Sequence, residues 1–247
     1  MSNRLTWTGL IPRHTTTYVI AFVFGLCITF VLGGLYSLGM KLSSDTTDGS
    51  VAAFDLDSEG SIGCWISVIM WFCCGQLSWL IGRVRESLGT GYWERRGWQM
   101  LPAIWFCMSL DEGASLHEGF KELMVRVTGT RLMGDGSIYW AVPYFVVLSV
   151  VGLFLLARAW RNWTSIAALL GGGGFLAVAV AGQLDFILRG RPHLETWLEE
   201  SCELMGQLCV LLALGLYARK QVEAVEQSEA VAALPRTEPG SRELYAA

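Results

Sequence analysis

Two stretches of this sequence carry side chains that could do chemistry together. SLDEGASLHEG holds Asp111, Glu112, His117 and Glu118, and LEESCELMGQ holds Glu199, Glu200 and Glu203. Between them GQLDFILRGRPH adds Asp185 and His193. Carboxylate oxygens and imidazole nitrogens are the donors that hard and borderline divalent ions take. Helical bundles hold iron or manganese in this way, each ligand entering from a different helix. The spacing therefore points to a metal site drawn from Asp111, Glu112, His117, Glu118, Asp185, Glu199, Glu200 and Glu203, with iron, manganese or zinc as the ion. The duplicated Glu-x-x-His pattern of ferritin-like sites is missing: Glu118 follows His117 directly, and Glu200-x-x-Glu203 has no histidine. If the site is catalytic, a metal-activated water is the chemistry it would supply.

Three other readings use the same residues. The acids could pair with Arg126, Arg131, Arg189 and Arg191 and merely hold helices together. They could pass protons or cations, although a conduction path needs ionisable groups along the whole span. Arg189, Arg191 and the shallower acids could recognise lipid head groups.

The elements that must position these groups are membrane helices. The 247 residues are 53% hydrophobic and 16% charged, with a mean hydropathy of +0.43, against about 25% charged in soluble domains. Six segments have the roughly 20 apolar residues a bilayer requires: about 17–40, 63–82, 99–119, 138–158, 164–187 and 197–218. The sequence thus predicts an all-α polytopic membrane protein with six transmembrane helices in one bundle. Residues 1–16 precede it and a flexible tail, 219–247, follows. The first span is too long in its apolar part for a cleaved signal peptide.

Lysine and arginine are denser on the side holding both termini, 83–96 and 158–161, so that side is expected to be cytoplasmic. A bacterial inner membrane is the expected location. All the acids then fall in the outer half of the bilayer. Asp111 lies on the order of 13 Å below the outer surface, and Glu203 at roughly 10 Å, from a rise of 1.5 Å per residue. An ionised acid near the centre costs about 2.5–3.5 kcal/mol. Asp111 and Glu203 are therefore the central candidates. In a continuous third helix Asp111 and Glu118 would share a face, only about 20° apart.

The remaining features read as structure. Seven cysteines (Cys27, Cys64, Cys73, Cys74, Cys107, Cys202 and Cys209) lie in apolar runs with no C-x-x-C pair, so they act as small apolar residues. Gly171–Gly174 suits close helix packing, and loop 41–62 reads as solvated. No basic block or stacking motif points to nucleic acid; the lipid bilayer is the expected partner.

The pairing of SLDEGASLHE with LEESCELMG resembles uncharacterised bacterial multi-pass membrane proteins with an LDE…HE helix and an EE..E helix. That resemblance covers two short motifs and implies no established activity. Membrane hydrolases related to alkaline ceramidase use a serine, an aspartate and three histidines around zinc. This chain has only His14, His117 and His193, which excludes that assignment.

Overall fold

A computed structural model of the chain describes residues 7–42, 52–188 and 190–232. Among them are seven α-helices and no strand: α1 (Thr15–Leu42), α2 (Ile62–Ser87), α3 (Tyr92–Ala114), α4 (Leu116–Thr128), α5 (Ile138–Ala159), α6 (Trp163–Gln183) and α7 (Pro192–Ala232). Five of these, α1, α2, α5, α6 and α7, are long and apolar enough to cross a membrane. The expected count of six apolar spans is thereby corrected. In α3, Gln99, Pro102, Asp111 and Glu112 dilute the apolar residues.

The middle of the bundle is α7. In its most apolar stretch 67% of the residues are buried, against 17% in α1 and α5. It runs antiparallel to α6, where Gly172 meets Gly206 and Gly182 meets Glu199, and antiparallel to α1, where Gly25 meets Leu208 and Gly33 meets Trp197. A Cβ on Gly172 would lie 3.0 Å from the Gly206 carbonyl oxygen, so a larger residue there would push the two backbones apart. On its other flank α2 runs parallel to α7, with Ser67 beside Gln207 and Arg85 beside Gln221.

Next to α2 lies α3 in antiparallel register, its contacts stepping up one helix as they step down the other. Cys64 meets Glu112, Val68 meets Ser109, Gly75 meets Phe106 and Gly82 meets Trp98. The stacked Trp71–Trp105 pair, 5.1 Å between ring centroids, fills the middle of this interface. Trp105 also donates its Nε1–H to Ser78 Oγ at 3.0 Å, which satisfies a buried indole. Against α3 packs α5, again antiparallel, through Tyr144 with Asp111 and Phe154 with Trp98.

These registers sort the charges into two ends. One gathers Arg83, Arg85, Glu86, Glu94, Arg95 and Arg158, paired with one another. The other gathers the C-terminus of α3 and the N-terminus of α7, and with them the acids singled out above.

Three departures from the expected elements matter. First, no single helix covers 99–119. Ser115 takes the left-handed conformation (φ 53°) between α3 and α4, and its N–H donates to the Asp111 carbonyl. That break removes the shared face of Asp111 and Glu118. The chain gains α4, an amphipathic segment whose exposed Leu116, Phe120, Leu123 and Val127 recur at i, i+4, i+7 and i+11, the stripe of a helix lying in a membrane interface. Second, α6 ends at Gln183 rather than 187, and Asp185 follows it in the left-handed region with φ 57°. Third, the segment expected to start a flexible tail at 219 stays helical to Ala232. Its Val222 and Val225 are buried in the main core, and that burial holds the turns in place. Residues 233–247 lie outside the described residues, as do 43–51 of the loop expected to be solvated and Arg189.

Candidate functional site: a cleft lined by carboxylates

At the acidic end the helices leave a cavity of about 1060 Å³, at the upper limit of the roughly 300–1,000 Å³ of small-molecule sites. Its head is polar, lined by Asp111, Glu112, His117, Glu199, Glu200 and Glu203. Its body is apolar and runs between α5 and α6, from Tyr144 to Leu156 on one and from Gln183 to Leu169 on the other. Phe145, Leu153 and Leu170 line it while remaining mostly exposed, so the space is a cleft open on the flank of the bundle.

Asp111 is buried and engaged through one carboxylate oxygen. Tyr144 donates its hydroxyl to Asp111 Oδ2, and His117 Nδ1 lies 3.0 Å from the same oxygen. Trp140 meets both rings edge-on, at 5.1 Å from His117 and 5.5 Å from Tyr144. Burial alone would lower the His117 pKa, but its hydrogen bond to Asp111 and the nearby carboxylates outweigh that and raise it. The break at Ser115 makes this pairing possible, because α4 turns His117 back over the end of α3.

A second group caps the cleft. Lys121, 7% exposed, pairs with Glu118 and, at 2.9 Å, with Asp135. Burial lowers the Lys121 pKa, and these two carboxylates more than reverse the effect. Asp135 accepts from the Ser137 N–H at 3.0 Å and from its hydroxyl at 2.7 Å. These bonds and Lys121 hold the Asp135 pKa below its ordinary value in spite of burial. From the other side, Gln183 Nε2 donates to Ser137 Oγ at 3.0 Å. The loop expected to be solvated reaches this cap as well: Asp57 and Glu59 line the cleft. Burial and the neighbouring Asp55 and Glu118 raise the Asp57 pKa.

The third group is the carboxylates facing each other across α3 and α7. Glu203 Oε1 accepts from Gln207 Nε2 at 3.0 Å, and the same amide donates to Ser67 Oγ at 2.6 Å. Gln207 is fully buried, and its Oε1 has no hydrogen-bond partner. Among the described residues, Glu112, Glu199, Glu200 and Glu203 form no ion pair with any lysine or arginine. Arg131, a candidate partner, is taken by Glu122 at 2.9 Å.

Of the eight residues singled out from the sequence, Asp111, Glu112, His117, Glu118, Glu199, Glu200 and Glu203 all line the cleft. Asp185 does not. It is exposed past the end of α6, with its carboxylate near Gly134. Among the described residues, no group of three or more His, Cys, Asp or Glu side chains is placed to hold one metal ion. Sequence reasoning missed Tyr144, Ser67, Trp140 and the Lys121–Asp135 cap. The one signal for Tyr144 was a hydroxyl inside an apolar span beside Pro143.

A family model described as a domain of unknown function, DUF8692, matches residues 19–218. That stretch takes in α2 to α6 whole, most of α1 and α7, and all of the cleft's acids. No curated protein and no solved structure matches the chain.

Proposed function

The chain belongs to this family, and from the site itself we propose that the protein is a membrane receptor or transformer of a cationic ligand, bound at the acidic end of the bundle. The observation that carries this is the set Glu112, Glu199, Glu200 and Glu203 around one cleft, with no lysine or arginine paired to them among the described residues. Grouped carboxylates in a poorly hydrated site either keep protons or take a cation. A ligand with several N–H donors can meet carboxylates that are too spread to share one ion. This spread favours an ammonium group over a divalent metal, which needs its oxygens at roughly 2.0–2.6 Å from a single centre. A metal requires the side chains of α3 and α7 to close inward.

The reading also takes α3 as a sixth crossing. Its antiparallel contacts with α2 run from Cys64–Glu112 to Gly82–Trp98, so a membrane crossed by α2 is crossed back by α3. Both termini then share the arginine-rich side, which is the cytoplasmic one by the positive-inside rule. The cleft opens to the outside of a bacterial inner membrane. Ion pairing as the acids' sole purpose accounts for Glu118 and Glu122, which have Lys121 and Arg131, and leaves the other four unexplained.

The test is equilibrium binding to protein in nanodiscs, with ethylammonium, manganese and zinc as probes and plasma mass spectrometry for bound metal. The expected result is ammonium binding that is lost in Glu112→Gln and Glu203→Gln and retained in Glu122→Gln. Near-stoichiometric metal lost in the same two variants would replace the ammonium reading with a metal site. Binding of none of the three overturns the proposal.

A further inference from the structure

The apolar body of the cleft asks for an occupant of its own. Along α5 it covers thirteen residues, Tyr144 to Leu156, and along α6 fifteen, Leu169 to Gln183, which at 1.5 Å of rise per residue separates their ends by about 18 and 21 Å. One leaflet of hydrocarbon is about 15 Å deep, half of roughly 30 Å. The cleft therefore has the length of a lipid tail and begins at the acids.

Its width is set by glycine. Gly152 on α5 and Gly173 and Gly174 on α6 line the cleft, and a Cβ on any of the three would meet nothing within 4 Å. Only Gly172 of the Gly171–Gly174 run touches a neighbouring helix. The expectation that the whole run serves packing is thus corrected: one glycine packs and two leave room.

Resting on the cation reading above, we infer that the ligand is a long-chain amine, with its ammonium among Glu112, Glu200 and Glu203 and its chain in the cleft between α5 and α6. The charge of the head and the length of the body select the two ends of one molecule. The open flank lets it arrive sideways from the outer leaflet, so the chain never leaves an apolar medium. At the head, the ammonium replaces the water lost by the carboxylates with charge-assisted hydrogen bonds.

The test uses stearylamine and stearyl alcohol, each with a nitroxide on the chain, added to protein in nanodiscs. Immobilised label is read by electron paramagnetic resonance. Ethylammonium binding is followed in parallel by isothermal titration calorimetry. The parent is expected to immobilise the amine and not the alcohol. Gly173→Phe and Gly152→Phe, from opposite walls, should each weaken stearylamine at least about tenfold more than ethylammonium, the effect of roughly two buried methylenes. Gly171→Phe, on the same helix and outside the cleft, should not discriminate between them. If ethylammonium binds but both cleft variants bind stearylamine as the parent does, the long-chain inference is wrong and the cation reading stands. If neither amine binds, both fall. Equal retention of the alcohol would make the cleft a groove for any lipid chain and remove the role of the acids.

Discussion

At the arginine-rich end Glu94 sits between Arg85 and Arg158, the second at 3.1 Å, while Glu86 bridges Arg83 and Arg95 at 2.9 and 2.8 Å. At the acidic end Glu200 and Glu203 lie one turn apart on α7, opposite Glu112 of α3, and no lysine or arginine among the described residues pairs with them. Both ends hold carboxylates on packed helices. The difference is that the first set is complete without a ligand and the second is not. A partly buried acid that has its partner belongs to stability; one that lacks it is a candidate for binding. Asp111 shows the distinction within one end, since it lies among the unpaired acids and is itself satisfied by Tyr144 and His117.

Removing a charge should therefore act oppositely at the two ends. The largest effect is expected for Glu94→Gln, which leaves Arg85 and Arg158 without their common partner. Breaking a fully buried pair costs about 3–5 kcal/mol, so losing this partly buried one should cost up to about 3 kcal/mol, to be read by denaturant unfolding in mild detergent. Glu200→Gln should leave stability unchanged or raise it, because it removes like-charge repulsion and orphans no cation. A Glu200→Gln loss as large as that of Glu94→Gln would erase the contrast.

Next in size is Tyr144→Phe, which deprives Asp111 of a donor and should cost about 1.5–3 kcal/mol, the range for a hydrogen bond to a charged group. Ser115→Gly should instead gain about 1 kcal/mol, since a non-glycine residue strains in the left-handed region. A loss there would show that the serine side chain, not the backbone, makes the break.

The smallest expected effect is a pH dependence carried by His117. Its folded pKa is raised, so the folded state holds the proton more tightly than the unfolded one. The stabilisation is full below the ordinary histidine value of about 6.5 and fades as pH rises through the higher folded value. Asp111, Glu112 and Glu118 are the charges that face it. Melting curves of the parent and His117→Gln should converge as pH rises across that window. Curves that stay parallel would mean that His117 is neutral throughout.

Much of this was legible in the sequence for a simple reason. Depth along a helix follows from counting residues, so the convergence of Asp111, Glu112 and Glu203 at one end could be read before any packing was known. Helical phase was less secure, because it assumes an unbroken helix. Nothing in GASLH marks Ser115 as the break: it has no proline, and its glycine, Gly113, stays helical. The face shared by Asp111 and Glu118 failed there, and the third segment's standing as an apolar span failed on the polar residues of α3, Asp111 and Glu112 among them. Asp185 failed for a related reason, since α6 ends two residues before it. The glycine run was ambiguous because absence of a side chain permits both close packing and open space, and only the neighbours decide which.

The most direct measurement is denaturant unfolding of the parent and the Glu112→Gln/Glu203→Gln double variant, each with and without saturating ethylammonium. Without the cation, the double variant should be at least as stable as the parent. With it, at about one hundred times Kd, only the parent should gain about 2.7 kcal/mol. A double variant as unstable as Glu94→Gln, together with a parent that no cation stabilises, would show that the acidic end is structural and contradict the account.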